Sequence, residues 1–115
     1  MGTTLITGVS GLIGGALAES LAETRDVVGM SRKDPGAGFP FVQGDFGSAE
    51  DLRKLDAFDI DAVVHLAAVT WVCSERDGMM VNVEGTRRLM RTLVDRGVKK
   101  FVMASSIAVV GFQDK

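Results

Sequence analysis

The stretch that most constrains this chain is Thr3 to Gly15, TTLITGVSGLIGG. A short apolar run, Leu5-Ile6, leads into a turn with glycines at Gly8, Gly11 and Gly14, and an amphipathic stretch follows at once. Strand, glycine turn and helix start, in that order, are the context in which a glycine motif binds a dinucleotide. One glycine lets the backbone turn sharply, one lets it approach a pyrophosphate, and one lets the helix pack closely on the strand. The helix N-terminus then offers unpaired N–H groups and the positive end of a dipole. A merely flexible glycine loop is the competing reading, and it leaves the flanking strand and helix unexplained.

The rest of the chain repeats this alternation. Residues 3–7 read as a strand. Residues 11–24 read as a helix with Ser10 as N-cap and an apolar stripe of Ile13, Leu17 and Leu21. Asp26–Met30 and Phe39–Gln43 read as further strands, separated by the Pro- and Gly-containing loop Ser31–Gly36. Ser48 followed by Glu50 and Asp51 opens a short helix over 48–55. Asp61–Val69, DAVVHLAAV, is apolar enough for a strand buried on both faces. A loop, Thr70–Asp77, carries Trp71 and Cys73. The pattern then predicts a helix over 78–96, buried through Met79, Val83, Met90 and Val94, with Arg87, Arg88 and Arg91 as a solvated face and Gly97 closing it. Lys100–Ser105 is the fifth strand. Strands alternating with helices call for one α/β domain over 1–115. Its parallel sheet is doubly wound and Rossmann-like, in order 3-2-1-4-5, with the ligand at the switch point between strands 1 and 4.

Composition excludes several classes. The net charge of the 115 residues is −2, which gives no electrostatic case for nucleic acid or an anionic membrane. No apolar run reaches membrane-spanning length, and the N-terminus lacks a signal-peptide pattern. The single cysteine, Cys73, cannot form an internal disulfide and has no metal-ligand cluster around it, so a reducing, cytoplasmic setting and no metal are expected. The 115 residues contain no tyrosine and one histidine, His65. His65 sits inside an apolar strand, where a packed, hydrogen-bonded core histidine is the favoured reading over a catalytic base.

The end of strand 2 carries the second cofactor signal. A carboxylate about 20 residues past the glycines holds the ribose hydroxyls of NAD. Here Ser31-Arg32-Lys33 stand in that place. Arg and Lys attract a 2′-phosphate that a carboxylate would repel, so NADP is preferred over NAD, with Arg32 the main contact and Ser31 a hydrogen-bond donor.

Five motifs occur in sequence: TGVSGLIG, GDF at Gly44–Phe46, HLAA at His65–Ala68, NVEGT at Asn82–Thr86, and ASSIAVVG at Ala104–Gly111. In order and spacing they resemble the extended short-chain dehydrogenase/reductase family, the NAD(P)-dependent nucleotide-sugar epimerases and dehydratases. The resemblance covers this chain and about the first third of a family member. It implies that Gly8, Gly11 and Gly14 form the phosphate turn, with Leu12 and Ile13 giving N–H groups to the pyrophosphate. It also implies that Asp45 and Phe46 flank the adenine, the acid accepting from the amino group. Leu66, Ala67 and Ala68 would run along the cofactor, and Asn82 would help fix the site. Ser106, with Ser105 as its rival, would be the catalytic Ser/Thr.

Two departures qualify this. Val110 replaces the tyrosine of the family's Ser-x-x-Val-Tyr-Gly stretch, a position that is not catalytic. The catalytic Tyr-x-x-x-Lys lies further along in the family than residue 115, as does the sugar-nucleotide half. The 115 residues alone are therefore expected to bind cofactor without catalysing. Right-handed crossovers would also leave one face of strands 4 and 5 bare and strand 5 an unpaired edge, which promotes self-association. The alternative is a non-catalytic or engineered module whose property is folding or association.

Overall fold

The computed structural model describes residues 2–34, 36, 38–66 and 83–103. Five parallel strands form one sheet: β1 (Thr3–Thr7), β2 (Val27–Ser31), β3 (Phe41–Gln43), β4 (Ile60–His65) and β5 (Lys100–Met103). Their order is β3-β2-β1-β4-β5, as the alternation predicts. Leu5 of β1 is in register with Val28 on one side and Val63 on the other. The central strands therefore point alternate residues into two separate cores. Leu5, Val28, Met30 and Val63 enter one core. Ile6 and Val27 enter the other.

Helix α1 (Leu12–Ala22) covers the second core. Its N-cap is Gly11 and no side chain caps it, so Ser10 does not play the predicted role. The predicted stripe holds in part: Leu17 and Leu21 pack against this core, but Ile13 does not. Gly14 and Ala18 face the sheet, Leu17 and Leu21 are half-buried, and Ile13 is 72% exposed. The helix must approach β1 so closely at its start that only small residues fit there, and Ile13 lies about 100° round the helix from Gly14.

The opposite face is covered by α2 (Ala49–Leu52), a 3-10 turn (Arg53–Ala57) and α3 (Thr86–Asp95). Ser48 caps α2 by accepting from the Asp51 amide at 3.2 Å, and acids stand in the first turn as predicted. A wider π-type turn over 83–85 leads into α3. Its buried residues are Thr86, Leu89 and Leu93. Val83, Met90 and Val94 are exposed, which reverses the predicted face; Met79 lies outside the described residues. Leu89 and Leu93 pack with Leu52, Leu55 and Val98. The helix thus carries two apolar strips, and packing against the sheet chooses between them.

Gly97 closes α3 at φ 94°. Its amide donates to Val94 O at 3.0 Å, and the Val98 amide donates to Leu93 O at 3.0 Å. This is the paired Schellman arrangement, and the Val98–Leu93 apolar contact accompanies it.

At the edge, Phe101 of β5 is half-buried against the α2–α3 core, while Val102 and Met103 are each 49% exposed. No described helix is long and apolar enough to cross a membrane.

Candidate cofactor site

The site grows from the end of β1. Gly8 turns the chain with φ 74°, a conformation that a side chain disfavours. Its amide donates to Met30 O of β2 at 2.9 Å, and its carbonyl accepts from the Gly11 amide at 3.0 Å. A Cβ on Gly14 would stand 2.2 Å from Gly8 O, so the helix can start here only without a side chain at that position. The first amides of α1, from Leu12 onward, have no carbonyl a turn behind them and no capping side chain. They form the donor set a pyrophosphate needs.

A cavity of about 770 Å³ opens beside this turn. Gly8, Ser10 and Gly11 line it from the turn, Ser31 and Arg32 from the end of β2, Asp45 and Phe46 from the loop after β3, and Leu66 from the end of β4. Eight of the sequence-predicted residues are therefore brought together at the switch point between β1 and β4. Gly14 acts behind the cavity by admitting the helix. Ile13, the second residue of α1, has its side chain largely in solvent. Ala67, Ala68, Asn82, Ser105 and Ser106 lie outside the described residues, as do Trp71 and Cys73. Lys33, named with Arg32 from the sequence, lines the cavity as well; Met30 and Gly44 also line it and were missed, although each is the chain neighbour of a predicted residue.

Each loop at the mouth is held by local polar bonds. Ser31 is buried, and its hydroxyl donates to Lys33 O at 2.5 Å. Its proton is thus directed into the loop, leaving the charges of Arg32 and Lys33 for a ligand. Gln43 Nε2 donates to Arg32 O at 3.0 Å. In the next loop, Asp45 Oδ1 accepts from the Gly47 amide at 2.8 Å, and the Asp45 amide donates to Asp51 Oδ2 at 2.8 Å. Asp51 also pairs with Lys54 at 3.1 Å. The Asp45 amide first, and then Lys54, hold the Asp51 carboxyl below the usual carboxylate range.

His65 lies beneath the site. It is 4% exposed, with Nδ1 2.7 Å from Thr7 Oγ1 and Nε2 2.9 Å from Thr86 Oγ1. Phe46 stands edge-on to it at 4.6 Å between ring centroids. Burial pushes its pKa down to about 4, so it is neutral at physiological pH. It is the hydrogen-bonded core histidine the sequence favours. Thr7 Oγ1 additionally accepts from the Leu66 amide at 2.9 Å, joining the ends of β1 and β4. Among the described residues no three metal-ligating side chains cluster.

A parallel sheet in this order, with a glycine turn, an uncapped helix start and a cavity at the switch point, defines a dinucleotide-binding Rossmann domain. Residues 4–115 match the model of the NAD dependent epimerase/dehydratase family, and the chain belongs to that family. It is 30% identical to a UDP-glucuronate 4-epimerase of Thermodesulfobacterium geofontis, over 98% of this chain and 42% of that protein. It is 33% identical to a UDP-glucose 4-epimerase of Vibrio cholerae, over 93% of this chain and 35% of that one. Among solved structures it resembles a short-chain dehydrogenase/reductase superfamily protein of Agrobacterium tumefaciens with bound NAD, at TM-score 0.83 and 36% identity, covering 95% of this chain and 34% of that one. The chain thus spans well under half the length of these relatives.

Proposed function

We propose that these 115 residues are the dinucleotide-binding part of an NADP(H)-preferring oxidoreductase of the nucleotide-sugar epimerase or dehydratase type, acting in the cytoplasm. The observation that carries the NADP preference is the end of β2. Arg32 and Lys33 line the cavity where a ribose-binding carboxylate would otherwise stand, and Arg32 is exposed. Gly8, Gly11 and the first amides of α1 would hold the pyrophosphate. Asp45 and Phe46 would flank the adenine, and Leu66, Ala67, Ala68 and Asn82 would lie along the nicotinamide half. The dinucleotide, when bound, supplies hydride transfer. This chain's residues bind it, orient it and exclude water around it.

On this reading Ser106 hydrogen-bonds the substrate hydroxyl or carbonyl. The proton-transferring tyrosine and its lysine come from outside these residues, which contain no tyrosine. Titration with NADPH and NADH tests the cofactor part. Tighter NADPH binding that is lost in Arg32→Ala supports it, and equal affinity for the two nucleotides defeats it.

We also infer that the chain self-associates through β5 or the sheet face beside it, because Val102 and Met103 leave apolar surface at the sheet edge.

A further inference from the structure

The Asp45–Gly47 turn forms one wall of the cavity, and two side chains that do not line the cavity hold it. Asp51 accepts the Asp45 amide from one side at 2.8 Å. From the other side, Arg88 Nη1 donates to Gly47 O at 2.7 Å, across 41 residues of chain. The backbones also meet there: a Cβ on Gly47 would stand 3.1 Å from Gly85 Cα. The turn is therefore pinned to the start of α3, an element belonging to the other half of the fold.

The neighbouring arginine does not make this reach. Arg87 instead pairs with Glu84, in the turn that leads into α3, at 3.3 Å. Arg88 makes a short, charge-assisted bond to a main-chain carbonyl of the site wall. Gly47 in turn donates its amide to Asp45 Oδ1 at 2.8 Å. Fixing Gly47 thus fixes the Asp45 carboxylate and leaves Oδ2 as the acceptor available to a ligand.

We propose that Arg88 is a positioning residue for base selectivity, holding Gly47 so that Asp45 presents a pre-set acceptor to the amino group of adenine. This rests on the dinucleotide reading above. A wall ordered before the ligand arrives spares the ordering cost on binding. The exposed bond itself adds little to the fold's stability, so removing it should affect recognition more than folding.

The test compares ADP with inosine diphosphate, in which a carbonyl acceptor replaces the adenine amino donor and N1 carries a proton, in calorimetric titrations of the protein and of Arg88→Ala, Arg88→Lys and Arg87→Ala. The unsubstituted protein should favour ADP. Arg88→Ala should weaken ADP binding about three- to tenfold while leaving inosine diphosphate nearly unchanged, so that the preference collapses. Arg88→Lys should restore most of it, and Arg87→Ala should match the unsubstituted protein. Hydrogen exchange at the Gly47 amide should also quicken in the ligand-free Arg88→Ala protein, with β1 amides unchanged. An unchanged ADP preference in Arg88→Ala would overturn the positioning role alone. No ADP binding by the unsubstituted protein would overturn the cofactor reading and this role with it.

Discussion

Thr7 Oγ1 lies 2.7 Å from His65 Nδ1, a bond between adjacent strands directly under the glycine turn. With Thr86 on the other ring nitrogen, it joins β1, β4 and α3 around one neutral imidazole. Burial holds the folded pKa near 4, against 6.5 for the free side chain. As pH falls below 6.5 the unfolded chain takes up a proton that the folded chain refuses. Stability is therefore full above that value and is lost progressively down to about 4. The loss should reach up to about 3 kcal/mol. Urea midpoints at pH 7.5, 6 and 4.5 should fall in that order, with a flatter profile in His65→Gln. An imidazole titrating near 6.5 by NMR would refute the burial argument. Asp51 acts lower down, its contribution disappearing only as pH falls through a folded value below 3.8.

Gly14→Ala should be the most damaging single change at the glycine turn. Its Cβ would fall 2.2 Å from Gly8 O, a backbone atom tied to the turn by the Gly11 amide. Neither partner can move without shifting α1 off the sheet. A loss of about 3 kcal/mol or more is expected. Gly8→Ala carries a left-handed backbone penalty of about 1–2 kcal/mol. Thermal melts of the two variants should rank them in that order, and equal Tm values would contradict the close-approach reading.

Leu93→Ala and Val94→Ala separate the two apolar strips of α3. Leu93 is fully buried and Val94 is 57% exposed. The first change should cost about 2–5 kcal/mol and the second well under 1 kcal/mol. Denaturant titration decides it, and a larger cost at Val94 would restore the face the periodicity predicts.

These cases mark what the sequence reveals. The strand order, the glycine turn, the Ser48 cap and the Gly97 closure were legible because each is fixed by local chemistry: a φ only glycine favours, a side chain reaching three residues on, a crossover with one permitted hand. The placing of Gly8 and Ser31 at the site followed from topology, whereas Asp45 and Leu66 were legible only through the family resemblance. The buried strip of α3 was not legible, because Leu89–Leu93 and Val83–Met90–Val94 both have helical spacing and only the sheet's position separates them. Arg88 read as a solvated charge for a related reason, since nothing near it in sequence announces a bond to Gly47.

Arg32 should govern the choice of cofactor. Arg32→Ala is expected to weaken NADPH binding about tenfold, as loss of one charge-assisted phosphate contact implies, and to leave NADH nearly unaffected. Rising salt should narrow the gap between the two nucleotides in the unsubstituted protein. Arg32→Asp should reverse the preference. NADH binding that weakens as much as NADPH binding would show that the guanidinium does not read the 2′-phosphate.

The edge of the sheet supplies the last expectation. Val102 is in register with Val64 of β4, and Val64 packs against the α1-side core while Val102 stays 49% exposed. The apolar surface on that side therefore continues outward beyond what α1 covers. A second copy placed against it would bury Val102 and pair the outer backbone groups of β5, which is the edge strand among the described residues. Sedimentation of the 115-residue chain should show a concentration-dependent dimer, and Val102→Lys should return it to monomer, since the lysine would place a charge in the contact. Val94→Lys, on the exposed strip of α3, provides the contrast. Dissociation by that change instead would move the contact to the helix, and a monomer at high concentration would remove it altogether.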